Sequence, residues 1–357
     1  MNCSVRVAIC HAAPVFLSAR KTTEKAISLI TEAAKNKASL VAFPESYIPA
    51  FPIWSALRAP TENHDLFKRM ALESIYSDGE EMKAIQAAAK KRGVMTSIGF
   101  SEKVRYSSAT LFNSNVIIDT QGKIIVHHRK LMPTFFEKLT WSPGDGYGLR
   151  VADTEFGKIG NLICGENTNP LARYALMAQG EQVHISTWPA VWPTRNVKKK
   201  NPPTLGQENE QGLSSMGRGA NYDNVAANKI RASAHCFEAK CFGVVSSGFL
   251  DADAISTVVD GSMNPESVQA TLEKSPRGAS MFLDPAGMAM PGFMVNSDAS
   301  REWRDFLQTE EGILYADLDL NDCIEGKQYH DVVGGYQRLD VFNLKIDNTR
   351  KPPAEVR

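Results

Sequence analysis

The chain has 357 residues, 40 Lys+Arg against 40 Asp+Glu, and is 43% hydrophobic and 22% charged. This ordinary composition excludes a disordered, collagen-like or disulfide-stapled miniature protein, and the length can bury a large core in one layered domain or two. Zero formal net charge argues against bulk electrostatic capture of nucleic acid or an anionic membrane surface, and it favours self-association.

The first ten residues carry no basic flank before a long apolar region, so residues 5–10 read as a strand and not as a signal peptide. Ser18 is placed to cap a helix over residues 19–36, with Ala26, Leu29, Ile30, Ala33 and Ala34 on one face. Residues 40–43 are an apolar run that stops at Pro44. A helix is predicted over Glu80–Arg92, closed by Gly93. Residues 94–100, 115–119 and 123–128 read as strands, the last two joined by the turn Asp119-Thr120-Gln121-Gly122. A strand over 158–164, a helix over 169–179 and a strand over 183–187 follow. Residues 192–224, with Lys198-Lys199-Lys200 and Pro202-Pro203, read as a long surface loop. Strands over 244–247, 279–283 and 313–319 complete the series, and the tail beyond about Asp322 is polar. Helices mixed with both crossovers and hairpins predict layers of α and β around mixed sheets. No stretch approaches the roughly 20 apolar residues of a membrane span.

The six cysteines (3, 10, 164, 236, 241, 323) form no CxxC pair, which predicts free thiols in a reducing cytoplasm. Three strand ends carry reactive side chains, where α/β proteins gather catalytic groups. Glu45 directly follows the run Leu40-Val41-Ala42-Phe43-Pro44; a carboxylate held there has a raised pKa suited to acid–base work, against the alternative of a solvated rim residue. Lys130 follows Ile124-Ile125-Val126-His127-His128-Arg129, placed to stabilise developing negative charge or simply to end a strand at the surface. His127-His128 has no acidic or Cys partner at ligand spacing and reads as strand decoration, not as a metal pair. Cys164 ends Gly160-Asn161-Leu162-Ile163 and precedes Gly165 and a helix, so it reads as a nucleophile whose thiolate the helix N-terminus favours; the alternative is a structural cysteine.

The surrounding strings are Phe43-Pro44-Glu45-Ser46-Tyr47 through Trp54, His128-Arg129-Lys130-Leu131-Met132-Pro133-Thr134, and Cys164-Gly165-Glu166-Asn167-Thr168-Asn169-Pro170. In order and spacing they resemble the nitrilase superfamily of carbon–nitrogen hydrolases, over nearly the whole chain. The Cys-Gly-Glu…Pro string and Trp141-Ser142-Pro143-Gly144-Asp145-Gly146 resemble its true nitrilase branch, with Ser-Pro as a local departure. Val183–Trp188 followed by Pro189 matches the strand and loop after the nucleophile helix.

The resemblance implies a four-layer αββα sandwich that pairs to αββααββα in a dimer, with spirals or short filaments in some members. It implies a hydrolase domain over residues 1–322 and a C-terminal extension over 323–357 involved in assembly. In that extension Gly335 and Leu339 replace a usual His and Pro. It further implies that Glu45 is the general base and acid, Lys130 stabilises intermediates, Cys164 is the nucleophile, and Glu137 orients Lys130 or substrate. Tyr47, Trp54, Trp188 and Trp192 are candidate walls of an apolar substrate pocket, or else ordinary packing. Backbone N–H groups of Gly165 and Glu166 are candidate donors to the substrate. His184 is expected to pack in its strand, and Cys10, Cys236, Cys241 and Cys323 to be inert. The implied reaction is hydrolysis of a nitrile to a carboxylic acid and ammonia, with no metal and no organic cofactor. An amidase or N-carbamoyl hydrolase, a cyanide-degrading enzyme, and a filament-forming interaction protein with a vestigial site remain as competing readings. A dinucleotide-binding enzyme is the weakest, because Gly144-Asp145-Gly146 follows a turn and not a strand.

Overall fold

A computed structural model describes residues 4–193 and 223–354. The strands are β1 (Ser4–His11), β2 (Leu40–Ala42), β3 (Met95–Val104), β4 (Ser107–Ile118), β5 (Ile124–Arg129), β6 (Ala152–Thr154), β7 (Gly157–Ile163), β8 (Val183–Trp188), β9 (Phe242–Ser247), β10 (Met281–Leu283), β11 (Ala289–Met290), β12 (Gly292–Val295), β13 (Arg301–Arg304) and β14 (Gly312–Asp319). The helices are α1 (Ala19–Lys35), α2 (His64–Glu73), α3 (Glu80–Arg92), α4 (Pro170–Met177), α5 (Asn224–Ala239), α6 (Ala252–Val259) and α7 (Pro265–Lys274), with a short turn at Asp322–Glu325.

Two sheets result. One has eight strands in the order β13-β12-β14-β1-β2-β3-β4-β5, the other six in the order β11-β10-β9-β8-β7-β6. Strand alternation sorts the side chains into layers. From β1, Val5, Val7 and Ile9 pack between the sheets with Ile159, Val183, Ile185, Val244 and Phe282. Ala8 and Cys10 face the other way, against Ala26, Ile30 and Ala33 of α1 and Met82, Ile85 and Ala89 of α3. Ala232, Cys236 and Ala239 of α5 cover Ile163, Val245 and Leu283 of the second sheet, and Ala172 and Leu176 of α4 cover Leu162. The order helix, sheet, sheet, helix is the predicted αββα sandwich. Each fully buried Val or Ile of the inner layer contributes about 1.5–3 kcal/mol of hydrophobic stabilisation.

Several local expectations change. Ser18 makes no side-chain cap; the Ala19 N–H instead donates to Glu73 Oε2 at 2.6 Å. Gly93 closes α3 with φ +62, as predicted. Of the loop predicted over 192–224, residues 194–222 lie outside the described residues, and Asn224 opens α5. Among the described residues, no helix is long and apolar enough to cross a membrane.

Candidate active site

Glu45, Lys130 and Cys164 each lie just past a strand, two in the first sheet and one in the second, so the sandwich brings its strand ends together around them. Glu45 is carried in by the segment 43–48, which runs beside β3: Phe43 donates to the Ser97 carbonyl and Ile48 to that of Gly99. The segment passes so close that a Cβ at Gly99 would sit 2.4 Å from the Pro44 carbonyl oxygen, which only glycine permits. Lys130 leaves β5 with its N–H bonded to the Asn113 carbonyl of β4. Cys164 follows β7 directly at φ +52, a left-handed conformation that costs a non-glycine residue energy and recurs at functional sites. A Cβ at Gly165 would meet Thr134 Oγ1 at 2.7 Å, so the residue after Cys164 is glycine for room.

The side chains converge in a buried cluster. Lys130 Nζ donates to Glu45 Oε1 at 2.9 Å and to Glu137 Oε1 and Oε2 at 2.8 and 2.7 Å, and all three side chains are fully buried. Asn113 Nδ2 donates to Glu45 Oε1 at 2.7 Å. Glu137 also accepts the Thr134 N–H at 2.9 Å. The Cys164 sulfur lies within 4.8 Å of carboxylate oxygens of both Glu45 and Glu137, and Glu45 Oε2 has no nitrogen or oxygen partner. Glu45 therefore turns one oxygen to its positioning donors and leaves the other for proton transfer.

The electrostatics follow from burial and this pairing. Burial pushes Glu45 up, opposed by Lys130 and by its hydrogen bonds to Lys130, Asn113 and Cys164. Burial also raises Glu137, to about 7, against the pull of Lys130 and with a further push from Glu45. Burial alone would lower Lys130, but attraction from Cys164, Glu137 and Glu45 outweighs it and holds the ammonium well above its usual range. The Cys164 thiol is pushed well above the usual cysteine value by burial and then by Glu45, against the counter-pull of Lys130. Cys164 opens only a short 3-10 turn, Cys164–Thr168, so burial and the neighbouring Glu45 work against the thiolate that a helix N-terminus was expected to favour. The three acidic and thiol groups could in principle ligate a metal, but Lys130 occupies the cation position among them.

A small cavity reaches Glu45, with Phe16, Tyr47, Phe51, Val191 and Phe249 in its wall. Beside it, Trp192 stacks on Phe136 at 4.4 Å and tilts against Phe51 at 6.2 Å. Tyr47 thus lines the cavity as expected, its hydroxyl donating to the Ala13 carbonyl at 3.2 Å, and Trp192 joins the neighbouring aromatic cluster. Trp188 is buried in one cluster with Ile163 and Cys164 and donates to Ser186 Oγ at 3.2 Å, so it backs Cys164 from the core. Trp54 is not at the cavity: the turn Ile53–Ala56 aims its indole into the core against Phe16.

Glu166 is not a substrate ligand through its side chain either. Its carboxylate accepts from the Leu131 N–H, from His128 Nε2 and from the Ile163 N–H, which ties the Lys130 loop to β7. Burial opposes ionisation of Glu166, but His128 and these bonds hold it below the ordinary carboxylate range. His128 is therefore a clamp and not strand decoration; His127 likewise bonds Glu102 at 2.9 Å. His184 is buried in its strand as expected. Cys10, Cys236, Cys241 and Cys323 are free and buried, and burial pushes Cys323 up to about 12.

Sequence reasoning missed Asn113, Phe51 and Phe136. The signal for Asn113 was the polar run Asn113-Ser114-Asn115 set between Leu111-Phe112 and Val116-Ile117-Ile118, since buried polar groups in a sheet need partners.

The profile of the carbon-nitrogen hydrolase family matches residues 6–328. A nitrilase of Penicillium rubens is 33% identical over 353 residues, covering 98% of this chain and 95% of the relative. An arylacetonitrilase of Hypocrea virens is 32% identical, covering 98% and 93%. A carbon–nitrogen hydrolase of Helicobacter pylori superposes with a TM-score of 0.65 at 19% identity over 96% of this chain and 97% of its own, a likeness of fold.

Proposed function

The chain belongs to the carbon–nitrogen hydrolase family, and on that premise we propose that it hydrolyses an organic nitrile to a carboxylic acid and ammonia. The observation that carries the reading is the buried Glu45–Lys130–Glu137 cluster against the Cys164 thiol, in a chain similar over 98% of its length to proteins named nitrilase and arylacetonitrilase.

The chemistry follows from a protonated thiol beside a raised carboxylate. Glu45 takes the Cys164 proton as sulfur bonds the nitrile carbon, and passes it to the nitrile nitrogen, giving a covalent thioimidate. Glu45 then removes a proton from water, which adds to the same carbon; the nitrogen gains protons and leaves as ammonia, and a thioester remains. A second water breaks the carbon–sulfur bond and returns the thiol with the acid. Lys130 faces the charge that develops in each tetrahedral intermediate, a role worth about 3–4 kcal/mol for a single preorganised donor. Glu137 is a positioning residue: two short bonds fix the ammonium between both carboxylates. The N–H groups of Gly165 and Glu166 begin a helical turn, where donors lack intrahelical acceptors, and they face the same task. Expulsion of sulfur before ammonia would release the amide as a side product. Tyr47, Phe51, Phe249 and the Phe136–Trp192 stack accommodate an aryl or alkyl substituent.

Self-association belongs to the same reading. Leu171 on α4 and Ile230 and Phe237 on α5 are 61%, 69% and 47% exposed on the helices that flank the nucleophile, which suits an αββααββα dimer. The extension over 323–357 presents Tyr336, Leu339, Val341 and Phe342, all more than half exposed, for longer assemblies.

The test is ammonia release from phenylacetonitrile, benzonitrile, an aliphatic nitrile, cyanide and the matched amides, with Cys164→Ala as control. Release from a nitrile that the control abolishes supports the reading. Release from amides alone moves the protein to the amidase branch, and release from cyanide alone to cyanide degradation.

A further inference from the structure

One buried cluster of titratable side chains has no part in that mechanism. Glu181, His184 and His235 are wholly buried behind the nucleophile. His184 Nδ1 lies 2.8 Å from Glu181 Oε1, and His235 Nε2 lies 2.6 Å from Glu181 Oε2. The two imidazoles stack at 3.6 Å. On its other side His184 Nε2 lies 2.8 Å from Asn167 Oδ1, and Asn167 Nδ2 donates to the carbonyls of Cys164 and Leu162 at 3.0 and 3.2 Å.

Hydrogen-bond valence fixes the protons here. Carbonyl oxygens only accept, so the Asn167 atom facing Cys164 and Leu162 is the amide nitrogen. Its oxygen then faces His184 Nε2, which must carry a proton. Glu181 takes an imidazole nitrogen on each of its two oxygens, and although burial opposes its ionisation, the pairing with His184 and these two hydrogen bonds hold it below the ordinary carboxylate range, so it is a carboxylate that only accepts. His184 Nδ1 must carry a proton as well. His235, pushed down to about 4 by burial and then by the neighbouring His184 charge, is neutral, and its Nδ1 is buried without a partner.

We infer that His184 is an imidazolium locked between Glu181 and Asn167, and that through Asn167 it holds the Cys164 carbonyl and the left-handed nucleophile backbone in place. His184 and Asn167 are positioning residues for the reaction. Besides Glu181 and His235, the charged or titratable groups that act on this cluster are Arg173 of α4 and Cys241 before β9. Glu181, His235 and Cys241 also have ligand atoms within 4.8 Å of one another, but both Glu181 oxygens are engaged by histidine N–H groups, so the cluster is an ion pair and not a metal site.

The kinetic part of the test rests on the nitrile-hydrolase reading; the spectroscopic and alkylation parts do not. In full-length protein labelled with ¹⁵N-histidine, the His184 ring, assigned by its loss in His184→Gln, is expected to show two protonated nitrogens near neutral pH. Asn167→Ala is expected to lower kcat about 100-fold with KM within about twofold, the scale of a misplaced reacting group. It should also slow alkylation of Cys164 by iodoacetamide. The double variant His184→Gln with Asn167→Ala should be no slower than Asn167→Ala, because the two act through one chain. If His184→Gln does not fold, His235→Gln, which keeps a donor to Glu181, identifies the His235 ring by its loss, and His184 is then the ring in through-space contact with it. A singly protonated His184 ring in the wild type, or Asn167→Ala with unchanged kcat and alkylation rate, overturns the inference. A wild type inactive on every nitrile sinks the functional reading instead, and the ring protonation and alkylation rates still decide this one.

Discussion

Lys130 Nζ lies 2.9 Å from Glu45 Oε1 across 85 residues of chain, and the same ammonium is bound by both oxygens of Glu137. A buried cation thus separates two buried carboxylates that would otherwise repel, and it leaves one Glu45 oxygen for the Cys164 thiol.

Lys130→Met should therefore cost both stability and turnover. Removing one member of a buried ion cluster typically costs about 3–5 kcal/mol, and losing the donor to the intermediates about 100- to 1,000-fold in kcat. Urea unfolding and ammonia release measure the two effects. Lys130→Met combined with Glu137→Gln should recover much of the stability and none of the rate.

The pH profile carries the sign of the Glu45 shift. The base must be unprotonated to take the thiol proton, and burial raises its pKa above the ordinary glutamate value. The acid limb of kcat/KM should accordingly lie above about 4.5, rate being lost as pH falls through the raised value. A limb at or below the ordinary glutamate range would assign the base elsewhere.

Gly165→Ala places a methyl 2.7 Å from Thr134 Oγ1. It should reduce kcat at least about tenfold by pushing apart the Lys130 loop and the nucleophile turn. Thr134→Ala, which removes the obstructing hydroxyl, should restore a substantial part of that loss in the double variant. Additive losses would place the glycine's role elsewhere.

Acid stability reports on His235. Its pKa falls from 6.5 in the unfolded chain to about 4 in the folded one, so the unfolded state binds more protons between those values. The stability it confers is complete above about 6.5 and is lost as pH falls toward about 4, a loss of order 3 kcal/mol. His235→Gln should flatten the fall of Tm across that window; an unchanged slope would contradict the neutral assignment.

Glu45, Lys130 and Cys164 were legible in the sequence as candidates because each follows an apolar strand inside a long motif, and strand ends are where an α/β sandwich gathers reactive side chains. Glu80–Arg92 was legible to the residue because its apolar face and its terminal glycine agree. α5 and α6 were missed, although Asp223 and Asp251 cap them by accepting from Ala226 and Ala254. Their apolar positions are short or alanine-rich, so periodicity was weak. Trp54 was misplaced because nearness to Glu45 along the chain does not survive the 3-10 turn that follows. The upward push on the Cys164 thiol and the clamp by Glu166 depend on burial and on partners from distant strands, which no local string contains.

The most direct test of the account is peptide mass spectrometry of enzyme quenched in acid during turnover of a nitrile substrate, alongside the turnover of Cys164→Ala. The account predicts an acyl or thioimidate adduct on the peptide containing Cys164 and no nitrile consumption by the variant. An adduct on another residue, or nitrile hydrolysis by Cys164→Ala at the wild-type rate, would contradict it.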